Sequence, residues 1–149
     1  MTPDKTLKSA LAYLARSPKT ILEMRRYLSG KNADPEIIDG IIDRLLELKY
    51  LDDRAYARQF IDSRIRFKPK SAYAIGYELR GKGIAPAVAD EFLTDIDDFQ
   101  LAFSAAERKN SQLCHLDPES RKKKVLNHLR YRGFDYQVCQ AVWKKLMES

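Results

Sequence analysis

"ELRGKGIAP" at residues 78–86 has a counterpart on either side of it, "YLSGKNADP" at 27–35 and "HLRYRGFDY" at 128–136. The three stretches align without a gap and recur about every fifty residues. Superposing Leu28, Leu79 and Leu129 brings Met24, Ile75 and Val125 together one helical turn earlier. Beyond the leucine, Lys31, Lys82 and Arg132 coincide, then Asn32, Gly83 and Gly133, then Ala33, Ile84 and Phe134. A cation followed by Gly or Asn is what a helix end with a left-handed C′ residue requires. With Lys82 as C-cap, Leu79 is C3 and Ile84 is C″, the apolar pair of a Schellman motif; Leu28 with Ala33 and Leu129 with Phe134 repeat it. A new helix starts at once, with Asp34 as N-cap and Pro35 at N1, Pro86 at N1, and Asp135 as the third cap. Each stretch therefore reads as an elbow between two helices.

Working outward, "PEIIDGIIDRLLEL" places Ile37, Ile38, Ile41, Ile42, Leu45 and Leu46 on one stripe with helical period. No segment sustains an alternation of period two. A further helix precedes each elbow pair, at 7–16, 54–67 and 100–113. Thr20 with Glu23 has the spacing of a capping box, and Asp117 before Pro118 that of an N-cap with proline at N1. Asp52 and Asp53 are expected to cap the helix beginning near Arg54, and "TDIDD" at 94–98 to close one helix or cap the next. The expected fold is all-α: three tandem three-helix repeats, at 7–49, 52–97 and 99–147, stacked into an elongated, curved array.

The chain of 149 residues has a net charge of +6, unevenly spread: residues 1–50 carry +2, residues 51–98 carry −1 and residues 99–149 carry +5. Even in the near-neutral middle, residues 64–82 hold six bases against one acid. Clustered positive charge points to a polyanionic partner more than the total does. Cys114 and Cys139 form no CxxC pair and read as reduced thiols in an intracellular protein. The N-terminus lacks an apolar core of the secretory kind, and charge interrupts the most apolar segment too often for a membrane span. A cytoplasmic protein without membrane contact is expected.

Enzyme signatures are poor. His115 and His128 are the only histidines, and neither they nor the cysteines show nucleophile or metal-ligand spacing. No phosphate-cradling glycine loop occurs. No catalysis, cofactor or metal is expected.

The bases are distributed asymmetrically about the elbows. The helices after the elbow start acidic, with Glu36, Asp39 and Asp43 in the first and Asp90 and Glu91 in the second. That disfavours a helix–turn–helix reader, whose second helix enters the major groove. The cations lie before the elbow instead: Arg25, Arg26 and Lys31; Arg64, Arg66, Lys68, Lys70, Arg80 and Lys82; Arg121, Lys122, Lys123, Lys124, Arg130 and Arg132. Lys31, Lys82 and Arg132 also have a structural reading, since cations at a helix end complement its dipole. Those at 64–70 and 121–124 precede or open a helix, where the dipole opposes them, so a binding face is the reading that accounts for them.

"YLDD" at 50–53 with "YARQFIDSR" at 56–64, then "LRGKGI" at 79–84 and "LRYRGF" at 129–134, resemble the RecX family of bacterial regulatory proteins. The likeness covers nearly the whole chain. Lys49 stands where the family commonly has Gly, and Asn32 takes the glycine place in the first elbow. The resemblance implies a modulator of the RecA recombinase that lies in the groove of the RecA–DNA filament and restrains strand exchange and coprotease activity. Single-stranded DNA would then be met through the filament, by a monomer that docks its basic face. The alternative from the charge pattern is a stand-alone basic helical DNA-binding module; a third reading is a purely structural helical adaptor.

Overall fold

The computed structural model describes residues 2–148, and among them the chain forms nine α-helices and no strand. They are α1 (Pro3–Leu14), α2 (Ile21–Gly30), α3 (Pro35–Glu47), α4 (Asp53–Phe67), α5 (Ala72–Gly81), α6 (Pro86–Leu93), α7 (Asp98–Gln112), α8 (Pro118–Tyr131) and α9 (Tyr136–Glu148). In groups of three they make an all-α fold of tandem three-helix repeats.

The elbows are Schellman motifs. Ala33, Ile84 and Phe134 N–H groups donate to the carbonyls of Leu28, Leu79 and Leu129 at 3.3, 3.0 and 3.1 Å. Asn32, Gly83 and Gly133 donate to Ser29, Arg80 and Arg130, each at 3.0 Å. The same three residues have φ of 62, 87 and 91°, the left-handed C′ conformation. The leucines and the residues at C″ are buried. A fourth motif of this kind ends α3, where Lys49 has φ 63° and the Tyr50 N–H reaches the Leu45 carbonyl at 2.9 Å. A lysine there carries the strain that glycine avoids.

The caps follow the local spacing with two corrections. Thr20 and Glu23 form a reciprocal capping box, with bonds of 3.1 and 3.0 Å. Asp117 accepts from the Ser120 N–H and Asp135 from the Val138 N–H, at 3.1 and 2.8 Å. Asp34 occupies the N-cap of α3 but makes no side-chain capping bond. Of the aspartate pair, Asp52 alone caps α4, accepting from Ala55 N–H at 3.0 Å. Asp53 does not cap its own helix. It reaches back 32 residues to accept from the N–H of Ile21, the first residue of α2, at 2.9 Å. Asp98, the first residue of α7, does the same to Ala72, the first residue of α5, at 2.9 Å. Of the "TDIDD" pair, Asp97 performs the local capping, of Gln100 N–H at 3.2 Å. Burial raises the Asp53 carboxyl above its ordinary value, partly countered by the Ile21 N–H.

Successive repeats meet at the elbows. The Thr20 hydroxyl, at the start of α2, donates to the carbonyl of Lys82 at 2.6 Å. One repeat later the Ser71 N–H, at the start of α5, donates to the carbonyl of Arg132 at 3.1 Å. A Cβ at Gly83 would lie 2.4 Å from Leu22 Cβ, and one at Gly133 only 2.6 Å from Ala74 Cβ. Glycine at these elbows is thus required by backbone angle and by close approach together. Asn32, the corresponding residue of the first elbow, is exposed.

The chain divides into two compact units that follow these junctions. One holds the residues up to Gln59 with Leu79–Ala89; the other holds Phe60–Glu78 with the residues from Asp90 on. Helices α4, α5 and α6 each contribute to both. The first unit is centred on Ala10, Met24, Leu28, Ile41, Ile42, Leu45 and Leu51, the second on Ala102, Ala106, Val125, Leu129, Phe134, Val142 and Trp143. Cys139 is buried in the second core and Cys114 is exposed.

Candidate polyanion-binding surface

In the first unit, several of the expected cations already have work within the fold. Arg25 pairs with Asp39 at 2.6 Å, with both side chains exposed. Exposed pairs of this kind stabilise by about 0–1 kcal/mol and leave the cation accessible. Lys82 stands 3.8 Å from Glu23, the capping-box carboxylate. Lys31 lies over the ring of Tyr27, 5.5 Å from its centroid, and Tyr27 in turn stacks on Tyr13 at 3.9 Å. Arg26 and Arg80 are exposed and form no ion pair among the described residues.

In the second unit the expected face is more thoroughly divided. The Arg64 guanidinium grips the Glu78 carboxylate with contacts of 2.8 to 3.3 Å, and Lys70 adds a bond of 2.9 Å. The Arg64 hydrogen bond above all, with help from Lys70 and against the effect of burial, holds the Glu78 carboxyl at about 2. Arg64 and Lys70 are therefore neutralised within the chain. Arg64 and Arg66 also sit in the last turn of α4, where the helix dipole favours cations. This corrects the expectation that the charges at 64–70 oppose a dipole: α4 ends only at Phe67, leaving just Lys68 and Lys70 ahead of α5. Arg132 donates to the Pro69 carbonyl at 3.2 Å, a structural tie between the third elbow and the segment before α5. Arg121 is half-buried, with its Nε lacking a hydrogen-bond partner. Of the expected cations in this unit, those left exposed and without an ion pair among the described residues are Arg66, Lys68, Lys122, Lys123, Lys124 and Arg130. Arg66 lies over the Phe67 ring at 5.9 Å.

One position escapes a reading of the elbows alone. Tyr27, Glu78 and His128 each precede the buried elbow leucine, and each is half-buried. Counting from the aspartates that open α4 and α7, Arg64 and Lys109 are equivalent residues on the leading helices. In the second repeat this pair of positions holds an ion pair, Arg64 with Glu78. In the third it holds two groups that repel when protonated. His128 is kept below its ordinary pKa, first by burial and then by Arg132 and Lys109. Lys109 and His128 were legible only as a lone base and a lone histidine, because their equivalence to Arg64 and Glu78 emerges only when α4 and α7 are aligned on Asp53 and Asp98, whose bonding partners lie far away in the chain.

Among the described residues, no helix is long and apolar enough to cross a membrane, and no three His, Cys, Asp or Glu residues cluster as metal ligands.

Comparison with known proteins matches the chain to the first, second and third three-helix domains of RecX, over residues 7–45, 52–93 and 95–143. Regulatory protein RecX of Prosthecochloris aestuarii is 37% identical over 145 residues, covering 97% of this chain and 95% of that protein. Regulatory protein RecX of Chlorobium limicola is 31% identical, covering 94% and 88% of the two chains. The crystal structure of RecX from Lactobacillus salivarius superposes with a TM-score of 0.80 over 99% of this chain and 97% of that one, at 23% identity, a likeness of fold. Three consecutive domain matches and relatives of this similarity place the chain in the RecX family of regulatory proteins.

Proposed function

We propose that this chain binds the RecA–DNA filament and restrains recombinase and coprotease activity, acting in the cytoplasm as a monomer without cofactor or covalent chemistry. The RecX resemblance supports the filament as the target. The observation that carries the reading is the run Lys122–Lys124, exposed on α8 and unpaired among the described residues. These lysines lie outside the last turn of α8, so its dipole does not favour them, and they form no ion pair among the described residues. A filament presents acidic protein and phosphate together, and several weak contacts along it add through effective concentration.

Titrating the protein into a RecA ATP-hydrolysis assay on single-stranded DNA tests this. Inhibition at stoichiometric levels is expected, with filaments outcompeting bare DNA at the same salt. Reversing Lys122, Lys123 and Lys124 to Glu weakens inhibition at unchanged helicity. Absence of inhibition by the wild-type protein rejects the proposal.

A further inference from the structure

The second unit holds a cavity of about 160 Å³ whose lining includes Phe67, Arg108, Lys109, Gln112, His128 and Arg132. No carboxylate lines it. Three permanent cations and an imidazole thus face one space without a counter-charge, although mutual repulsion makes such a cluster costly unless an anion joins it. The equivalent position in the second repeat shows what is missing. There the Glu78 carboxylate takes up the cations Arg64 and Lys70. Here the residue in the place of Glu78 is His128, and the cation in the place of Arg64 is Lys109. At the rim stands Phe67, 73% exposed, with Arg66 over its ring.

We infer that this cavity is an oxyanion site that takes one backbone phosphate of a single-stranded nucleic acid, with the neighbouring base stacked on Phe67. The phosphate occupies the electrostatic place that Glu78 fills one repeat earlier. Charge alone would admit a carboxylate as well. The exposed ring beside the cations favours a nucleotide, since a base offers a flat π-face and an acidic peptide does not. It also favours a single strand, because the bases of a duplex already stack on one another. The site needs no recombinase, so it goes beyond the reading given above and stands or falls separately from it.

Fluorescence anisotropy of the full chain with a labelled oligothymidylate, without recombinase, is the test. Phe67→Ala is expected to weaken binding about fivefold to a hundredfold, the range seen for one stacked base. Arg108→Glu is expected to flatten the log–log salt dependence by about 0.7, one phosphate contact on a single strand. Phe67 and Arg108 are both exposed, so neither change should disturb folding, and circular dichroism checks that. An independent readout uses the wild-type protein alone. A bound phosphate favours the imidazolium against Lys109 and Arg108 of α7 and Arg132 at the end of α8, so adding the oligonucleotide should raise the His128 pKa seen by NMR. Three results overturn the inference: both variants binding within twofold of wild type, a duplex binding as tightly as the single strand, or an unmoved His128 titration at saturation. Displacement of the oligonucleotide by oligoglutamate, together with unchanged binding by Phe67→Ala, would assign the cavity to an acidic peptide instead.

Discussion

Replacing Gly133 with alanine asks the third elbow to do two things that glycine spares it. The residue has φ +91°, and holding a side chain in left-handed backbone costs about 1–2 kcal/mol. The added Cβ would also stand 2.6 Å from Ala74 Cβ and 2.8 Å from Ser71 Oγ. Neither neighbour yields easily. Ala74 Cβ is fixed to the α5 backbone, and the Ser71 hydroxyl is engaged by the Ala74 N–H at 3.1 Å. Overpacking of this kind costs about 1–3 kcal/mol. The stiffer unfolded chain returns about 0.4–1 kcal/mol. The net loss is about 2–4 kcal/mol, or roughly 5–15 °C in Tm for a chain of this length. Urea and thermal unfolding followed by circular dichroism measure it. Asn32→Ala is the control, because the first elbow has left-handed backbone but is exposed. Ala74→Gly supplies the rescue: it removes the obstructing Cβ and leaves the Ala74 Cα 3.8 Å away, an ordinary contact. The double variant should therefore be about 1–2 kcal/mol more stable than additivity allows. If Gly133→Ala costs no more than Asn32→Ala, or if the two changes simply add, the close approach of elbow to helix start is not what selects glycine.

Two further outcomes follow from single residues. The Glu78 carboxyl titrates at about 2 rather than its ordinary 4.5, so its contribution to stability is full above about pH 4.5 and fades as the pH falls toward 2. A shift of that size is about 3 kcal/mol at full strength, and solvent at a side chain still 23% exposed reduces it to about 1–2 kcal/mol. Urea unfolding of Glu78→Gln should show that loss at pH 7 and much less of it near pH 2.5; an equal gap at both would mean the ion pairs are not its source. Lys49→Gly relieves left-handed strain of about 1–2 kcal/mol against about 0.5–1 kcal/mol of added chain entropy, so Tm should rise by about 1–4 °C. A lower Tm for that variant would contradict the strain.

The elbows were readable from the amino-acid order because each is written in a few consecutive residues, and the all-α class and threefold repeat followed from that local pattern recurring along the chain. A Schellman turn closes bonds between Leu79 and Ile84, or Leu129 and Phe134, and its apolar and left-handed positions are written side by side. The capping box of Thr20 and Glu23 is equally local. The fate of the charges was not. Arg64 and Lys70 look like the rest of a basic run until the fold brings Glu78 between them. Asp53 looks like half of a local cap until α2 presents it with the Ile21 N–H. Lys109 and His128 carry no shared motif, and only the packing of α7 with α8 puts both on one cavity. Helix ends obey bonding rules over one or two turns, which a sequence states directly. Which cations remain free for a partner depends on the balance of charges brought together from distant turns, and that balance exists only once the helices have packed.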